Sequence, residues 1–211
     1  MKAHNKETQA QMTPRKALQF LQEGNNRFIN NLKANRNLLE QVNETRDGQW
    51  PFATILSCID SRTSAELIFD QGLGDVFSIR IAGNFVNQDI LGSMEFGCNV
   101  AGSKLVVVLG HSKCGALKGG LDSAQIEDLG MDNLNHLIGH FNPIINEIIE
   151  DGEERSSSNT DLLERLNHHN VKNAIDEIRK QSSTLRNLEN EGKIKIIGAN
   201  YDVETGVVSW L

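Results

Sequence analysis

Two short segments hold most of the residues capable of chemistry. Cys58-Ile59-Asp60-Ser61-Arg62 is followed, roughly fifty residues later, by His111-Ser112-Lys113-Cys114-Gly115. Two thiolates and one imidazole make a donor set suited to Zn²⁺, a borderline-soft d¹⁰ ion that takes sulfur and nitrogen in a tetrahedron. Cys58, His111 and Cys114 supply three ligands, enough for one ion per chain. The fourth position decides the chemistry, because a closed site is structural whereas one that admits water can act on a substrate. No fourth Cys or His stands at a matching spacing. Asp60 remains, either as a metal ligand or as a carboxylate that yields the position to water. Arg62 is a permanent cation whose planar fork can hold Asp60 through two hydrogen bonds, drawing it off the metal and making it an acceptor for the proton of a zinc-bound hydroxide. On this reading Asp60 and Arg62 form a catalytic dyad that gates the site.

Such donors need rigid elements to bring them together. Each segment directly follows a β-branched apolar run, FATILSC at 52–58 and KLVVVLG at 104–110, and VFSIRI at 76–81 is a third run of the same kind. Runs like these predict strands buried on both faces of a parallel sheet. Segments of helical length, 64–71 and 88–101, lie between them, so the expected fold class is α/β, with a mostly parallel central sheet flanked by helices. Functional groups in such sheets gather outside the carboxyl ends of the strands, where both segments fall. Ahead of the sheet, Thr13-Pro14 is a helix-start signal, and Leu18, Leu21, Phe28 and Leu32 continue it as an amphipathic stripe of about five turns, interrupted near Gly24. This N-terminal helical arm, 13–48, packs either on its own core or across a dimer. The zinc-binding α/β core covers 52–211, and the whole, 1–211, is expected to be one domain. Helical stretches follow at 133–149 and from 161 to about 188, separated by a polar loop at 151–160. KIKIIGANY, a turn at DVETG and VVSWL predict a closing strand and β-hairpin.

Composition narrows the partners. With 28 acidic against 21 basic residues in 211, the net charge is −7, which argues against nucleic acid or an anionic membrane surface. Three cysteines are an odd number in a chain too long to need disulfide staples, and the N-terminus is polar where a secretion signal would be apolar. A cytoplasmic location is expected. Cys98 lies mid-helix and reads as a small core residue. His136 and His140 share a helix face without the intervening glutamate of a zinc protease and read as surface or interface residues, while His168-His169 point different ways and read as solvated. Lys113 and Lys118 read as exposed charges at a helix start, and the order Lys118-Gly119-Gly120 fails the phosphate-loop pattern.

Cys-x-Asp-x-Arg followed by His-x-x-Cys resembles the β-class carbonic anhydrases, and the resemblance runs from about Pro14 to the C-terminus, including DQGLGDVFSIRIAGN and the terminal hairpin. It implies a zinc lyase that interconverts CO₂ and bicarbonate through zinc-bound hydroxide, with the Asp60-Arg62 dyad assisting. By position it also implies substrate-binding roles for Gln49, Phe77 and Gly115, and a homodimer or a dimer of dimers (homotetramer) formed through the arm and the sheet edge. Phe96 stands where plant-type members have tyrosine. Ile55 stands where some bacterial members have a tryptophan tied to closure of the zinc by aspartate, so an open, water-accessible site is expected here, with Asp60 able to close it at low pH. Two other readings stay open: a zinc-stabilised scaffold whose site is permanently closed, and a hydrolase of COS or CS₂.

Overall fold

The computed structural model describes residues 2–123, 126 and 129–211. Five strands form one sheet in the order β2-β1-β3-β4-β5. They are β1 (Ala53–Ser57), β2 (Val76–Arg80), β3 (Leu105–His111), β4 (Lys195–Tyr201) and β5 (Val208–Trp210). The first four run parallel and β5 returns antiparallel along β4 as the expected hairpin. Every residue of β1 and β3 is buried, as their unbroken apolar runs predict. β2 departs from that expectation. It pairs only with β1, so it is an edge strand and none of its residues is buried.

The arm begins where the sequence places it. Helix α2 (Pro14–Ile29) is capped by Thr13, whose hydroxyl accepts from the Lys16 amide. It runs unbroken through Gly24, so no interruption occurs there. The glycine instead lets the helix lie against the backbone at Phe69, where a Cβ would sit 1.8 Å from the carbonyl oxygen. Ala17 and Leu21 are fully buried in the same core, so the arm packs on its own chain. Leu32 does not belong to the stripe: the helix ends at Ile29, Asn31 turns at φ 54, and Leu32 is exposed. A short helix that the reading of the polar N-terminus lacked, α1 (Lys6–Ala10), precedes the arm, closed by reciprocal Asn5 and Thr8 caps. The arm ends in α3 (Leu38–Thr45), which leaves Leu38, Leu39 and Val42 exposed.

The crossovers are α4 (Ala65–Ile68), after the first motif, and α5 (Gln88–Glu95), which passes into a π-helical turn at Phe96–Val100. Helix α6 (Gly115–Leu121) follows the second motif. The stretch expected as one helix at 133–149 is two, α7 (Asp132–Gly139) and α8 (Asn142–Ile148), with Phe141 fully buried at their joint. The next stretch also divides, into α9 (Thr160–Gln181) and α10 (Ser183–Asn190). Ser182 makes that break, accepting from the Leu185 amide and donating to Glu95 Oε1 at 2.6 Å. Helix α9 lays Val171, Ala174, Ile175 and Ile178 over the sheet, in one cluster with Val106, Val108 and Ile196. No described helix is long and apolar enough to cross a membrane.

Candidate metal centre

Register brings the two motifs to one crest of the sheet. In the parallel pairing of β1 with β3, Ser57 lies beside Leu109. Cys58 follows at once, His111 closes β3, and Cys114 caps α6. The ligand atoms of Cys58, His111 and Cys114 all lie within 4.8 Å of one another, and all three residues are buried. Between His111 and Cys114 the chain makes its turn at Lys113, held at φ 58. That left-handed conformation costs an ordinary residue about 1–2 kcal/mol.

The donor set fits zinc on two counts. His111 Nδ1 lies 2.9 Å from the Ser112 carbonyl oxygen, an acceptor only, so Nδ1 carries the proton and donates. Its Nε2 is then a free lone pair, and among the described residues it is buried without a partner. A metal-binding imidazole presents this arrangement. Two sulfurs 3.9 Å apart supply the rest. The Cys114 S–H beside it holds Cys58 down to about 4, against burial, and the Gly83 amide adds to the effect. Cys114 is pushed far up by the same pairing and by burial. A divalent cation removes that conflict by drawing both into the thiolate form.

Gly83 N–H donates to Cys58 Sγ at 3.3 Å. Its φ is 76, and a Cβ there would meet Phe141 Cζ at 2.3 Å, so only glycine brings this amide to the sulfur. Arg80 was not foreseen as part of the site. From the end of β2 it donates to the carbonyls of Cys58 at 2.9 Å and Asp60 at 2.7 Å, bracing the loop. Thr63 Oγ1 donates to the same two carbonyls.

Asp60, a candidate ligand from sequence, is not part of the three-donor group. Both its oxygens are committed to Arg62: Oδ1 accepts from the amide and Nε of Arg62, each at 2.9 Å, and Oδ2 accepts from Nη2 at 2.7 Å. Those Arg62 hydrogen bonds hold the Asp60 carboxyl well below the usual carboxylate range, and Asp60 in turn raises Arg62.

Residues 53–208 match the family model described as carbonic anhydrase. The fold superposes on the β-carbonic anhydrase CafA of the fungal pathogen Aspergillus fumigatus with a TM-score of 0.71 and 25% identity, over 82% of this chain and 81% of that one. The chain belongs to the β-class carbonic anhydrases. Among its relatives, carbonic anhydrase 2 of Mycobacterium tuberculosis is 30% identical over 92% of this chain and 90% of its own length. The carbonic anhydrase of Mycolicibacterium smegmatis is also 30% identical, over 92% of each. Members are carbonate dehydratases, lyases that interconvert CO₂ and bicarbonate with zinc as cofactor.

The remaining candidates in this carbonic anhydrase fall at several places around the centre. A cavity of about 360 Å³ opens beside His111 and Cys114, walled in part by Leu117, Leu163, Asn167 and Tyr201. Neither Gln49 nor Phe77 lines it. Gln49 is exposed in the segment before β1. Phe77 pairs across from Thr54, four residues short of Cys58, and packs against Phe96 with ring centroids 6.1 Å apart. Gly115 is exposed at the start of α6 and a Cβ there would meet nothing within 4 Å, so no close approach within this chain demands glycine. Cys98 is buried in the core cluster under α9, its thiol pushed up to about 12 by burial. His136 and His140 are exposed, with His140 stacked on Phe85 at 4.2 Å. His168 is exposed beside Asn200, and Lys113 pairs with Glu204.

Proposed function

We propose that this carbonic anhydrase hydrates CO₂ reversibly at the Cys58-His111-Cys114 centre, with Asp60 and Arg62 handling the proton of the attacking water. The observation that carries the reading is the three-donor cluster standing beside an aspartate that arginine holds through both oxygens. Zinc held by those donors supplies Lewis acidity, which makes water a competent nucleophile near neutral pH. Asp60 stays ionised under Arg62, so it presents a hydrogen-bond acceptor that orients the water, while the proton itself passes on to solvent. Arg62 keeps that carboxylate from joining the metal ligands, which supports an open site over a closed scaffold. Arg80 and Thr63 fix the carbonyls on either side of Ile59, so the Asp60 loop keeps its place while the proton moves.

Substrate contacts from Gln49, Phe77 and Gly115 belong to the same proposal. Phe77 stands about 13 Å back along the strand from the level of Cys58. It can wall a substrate pocket only from a second copy of the chain, which fits a homodimer or a dimer of dimers. The open edge of β2, exposed Phe96 and the bare apolar face of α3 support such pairing. Three free cysteines suit a reducing, cytoplasmic setting. The test is stopped-flow CO₂ hydration by zinc-replete protein at alkaline pH, with zinc measured on the same sample. Hydration proportional to zinc content is expected. A fully loaded protein that leaves the uncatalysed rate unchanged overturns the proposal in favour of a structural site.

A further inference from the structure

Both residues between the ligands His111 and Cys114 are bound to the C-terminal hairpin turn, from the other end of the sequence. Ser112 N donates to the Tyr201 carbonyl at 2.9 Å. Ser112 Oγ donates to Asp202 Oδ1 at 3.1 Å and accepts from the Val203 amide at 3.0 Å. Lys113 Nζ donates to Glu204. The turn has its own bracing: Asp202 Oδ1 also accepts from the Glu204 amide at 2.9 Å, Oδ2 accepts from Thr205 Oγ1 at 2.8 Å, and Asp202 N donates to the Val207 carbonyl at 2.9 Å. The Ser112 carbonyl, in turn, is the acceptor that fixes His111 Nδ1.

We infer that Ser112 and Asp202 are positioning residues, through which the 202–207 turn sets the peptide that orients the His111 imidazole toward the metal. The inference rests on the zinc reading above and adds to it the agent that holds the ligand loop. The geometry forms a continuous chain: Asp202 carboxylate to Ser112 hydroxyl, Ser112 carbonyl to His111 Nδ1, and Nε2 toward the two sulfurs. Lys113 in its left-handed conformation gives this peptide a reason to relax when the hydroxyl anchor is lost. The acceptor of a ligating imidazole's N–H commonly governs metal retention about 10- to 100-fold, and here that acceptor is the carbonyl that Ser112 and Asp202 place.

The experiment measures zinc transfer from the loaded protein to a chromogenic chelator for wild type, Ser112→Ala, Asp202→Ala, the double variant and Ser112→Thr. Ser112→Ala and Asp202→Ala should each release zinc about tenfold faster than wild type, the low end of the range for an outer partner, because the Ser112 carbonyl itself is retained. The double variant should lose no more than the worse single one, because both cut the same link. Ser112→Thr keeps the hydroxyl and should restore slow release. Cobalt-loaded Ser112→Ala should show altered ligand-field bands, reporting a turned imidazole. Thermal unfolding of the zinc-free proteins separates a general loss of structure from a loss of metal grip. Unchanged release and cobalt spectrum in Ser112→Ala overturn the inference, as does faster release matched by an equal loss of zinc-free stability. A wild-type chain that takes up no zinc overturns the metal reading itself, and this inference with it.

Discussion

Asp60→Asn is the sharpest perturbation of the dyad. Asp60 takes three hydrogen bonds from Arg62, two on Oδ1 at 2.9 Å and one on Oδ2 at 2.7 Å. The carboxamide keeps an oxygen for the first two and turns an NH₂ toward Nη2, so one bond is replaced by two opposed donors. The negative charge that holds the hydrogen of the attacking water is also gone. A preorganised polar group aimed at the reacting atoms contributes about 10²–10³-fold, so kcat should fall about 100-fold. Zinc content should hold, because Asp60 is outside the ligand group. The melting temperature should hardly move, since the Arg62 guanidinium remains in solvent. The pH dependence provides a second readout. Arg62 holds Asp60 below the usual range near 4, so the ionised dyad is complete above that range and is lost only as pH falls through the depressed value. The profile of Asp60→Asn above about pH 6 should therefore keep the wild-type shape at a lower height. Stopped-flow hydration with a pH indicator, on samples of measured zinc content, gives both quantities. Turnover within about threefold of wild type, well short of the expected 10²-fold, would refute the dyad's role in proton handling.

Two thiolates cancel the double charge of zinc, so water there should be less acidic than at a three-histidine site, and hydration should rise with pH above neutrality. A flat rate between about pH 6.5 and 9 at constant zinc content speaks against this. Gly83→Ala should lose about 1–3 kcal/mol from overpacking against Phe141, with about 1–2 kcal/mol more from its left-handed backbone, and should retain zinc poorly as its amide leaves Cys58. Chemical denaturation and chelator competition check both effects. Leu21→Ala, in the fully buried face of α2, should cost about 2–5 kcal/mol, read as a lower melting temperature at roughly 2–4 °C per kcal/mol. An unchanged melting temperature would mean that the arm does not pack on its own core. Cys98→Ala should leave zinc content and turnover unchanged, as expected of a core thiol distant from the ligands, and a drop in zinc content would show otherwise.

The ligand set and the strands that carry it were legible because both are local: a donor motif and the apolar run before it occupy about ten residues of sequence. β1, β3 and the terminal hairpin announce themselves in the same way. What escaped depends on partners remote in the chain. Gly24 looks like a helix breaker until Phe69 is placed against it. β2 has the composition of a central strand, yet its position at the edge follows from strand order, which no single run encodes. Ser182 is an ordinary polar residue in a helical pattern until Glu95 and the Leu185 amide claim its hydroxyl. Arg80 could not be assigned to the site from its strand, because its two acceptors are carbonyls, which every residue possesses. The Asn5 and Thr8 pair was an overlooked local signal, a reciprocal cap spelled out three residues apart.

The parallel pairing of β1 with β3 separates geometry from chain length at this centre. Backbone hydrogen bonds between neighbouring strands, not the roughly fifty intervening residues, hold the two donor segments within reach. Insertions or deletions in the part of that excursion beyond Arg80 and Gly83, which themselves contact the first donor segment, should therefore be tolerated by the metal grip. Slippage of β1 against β3 by a single residue should destroy it, since Cys58 would be carried out of line with His111 and every side chain of the strand turned to the opposite face.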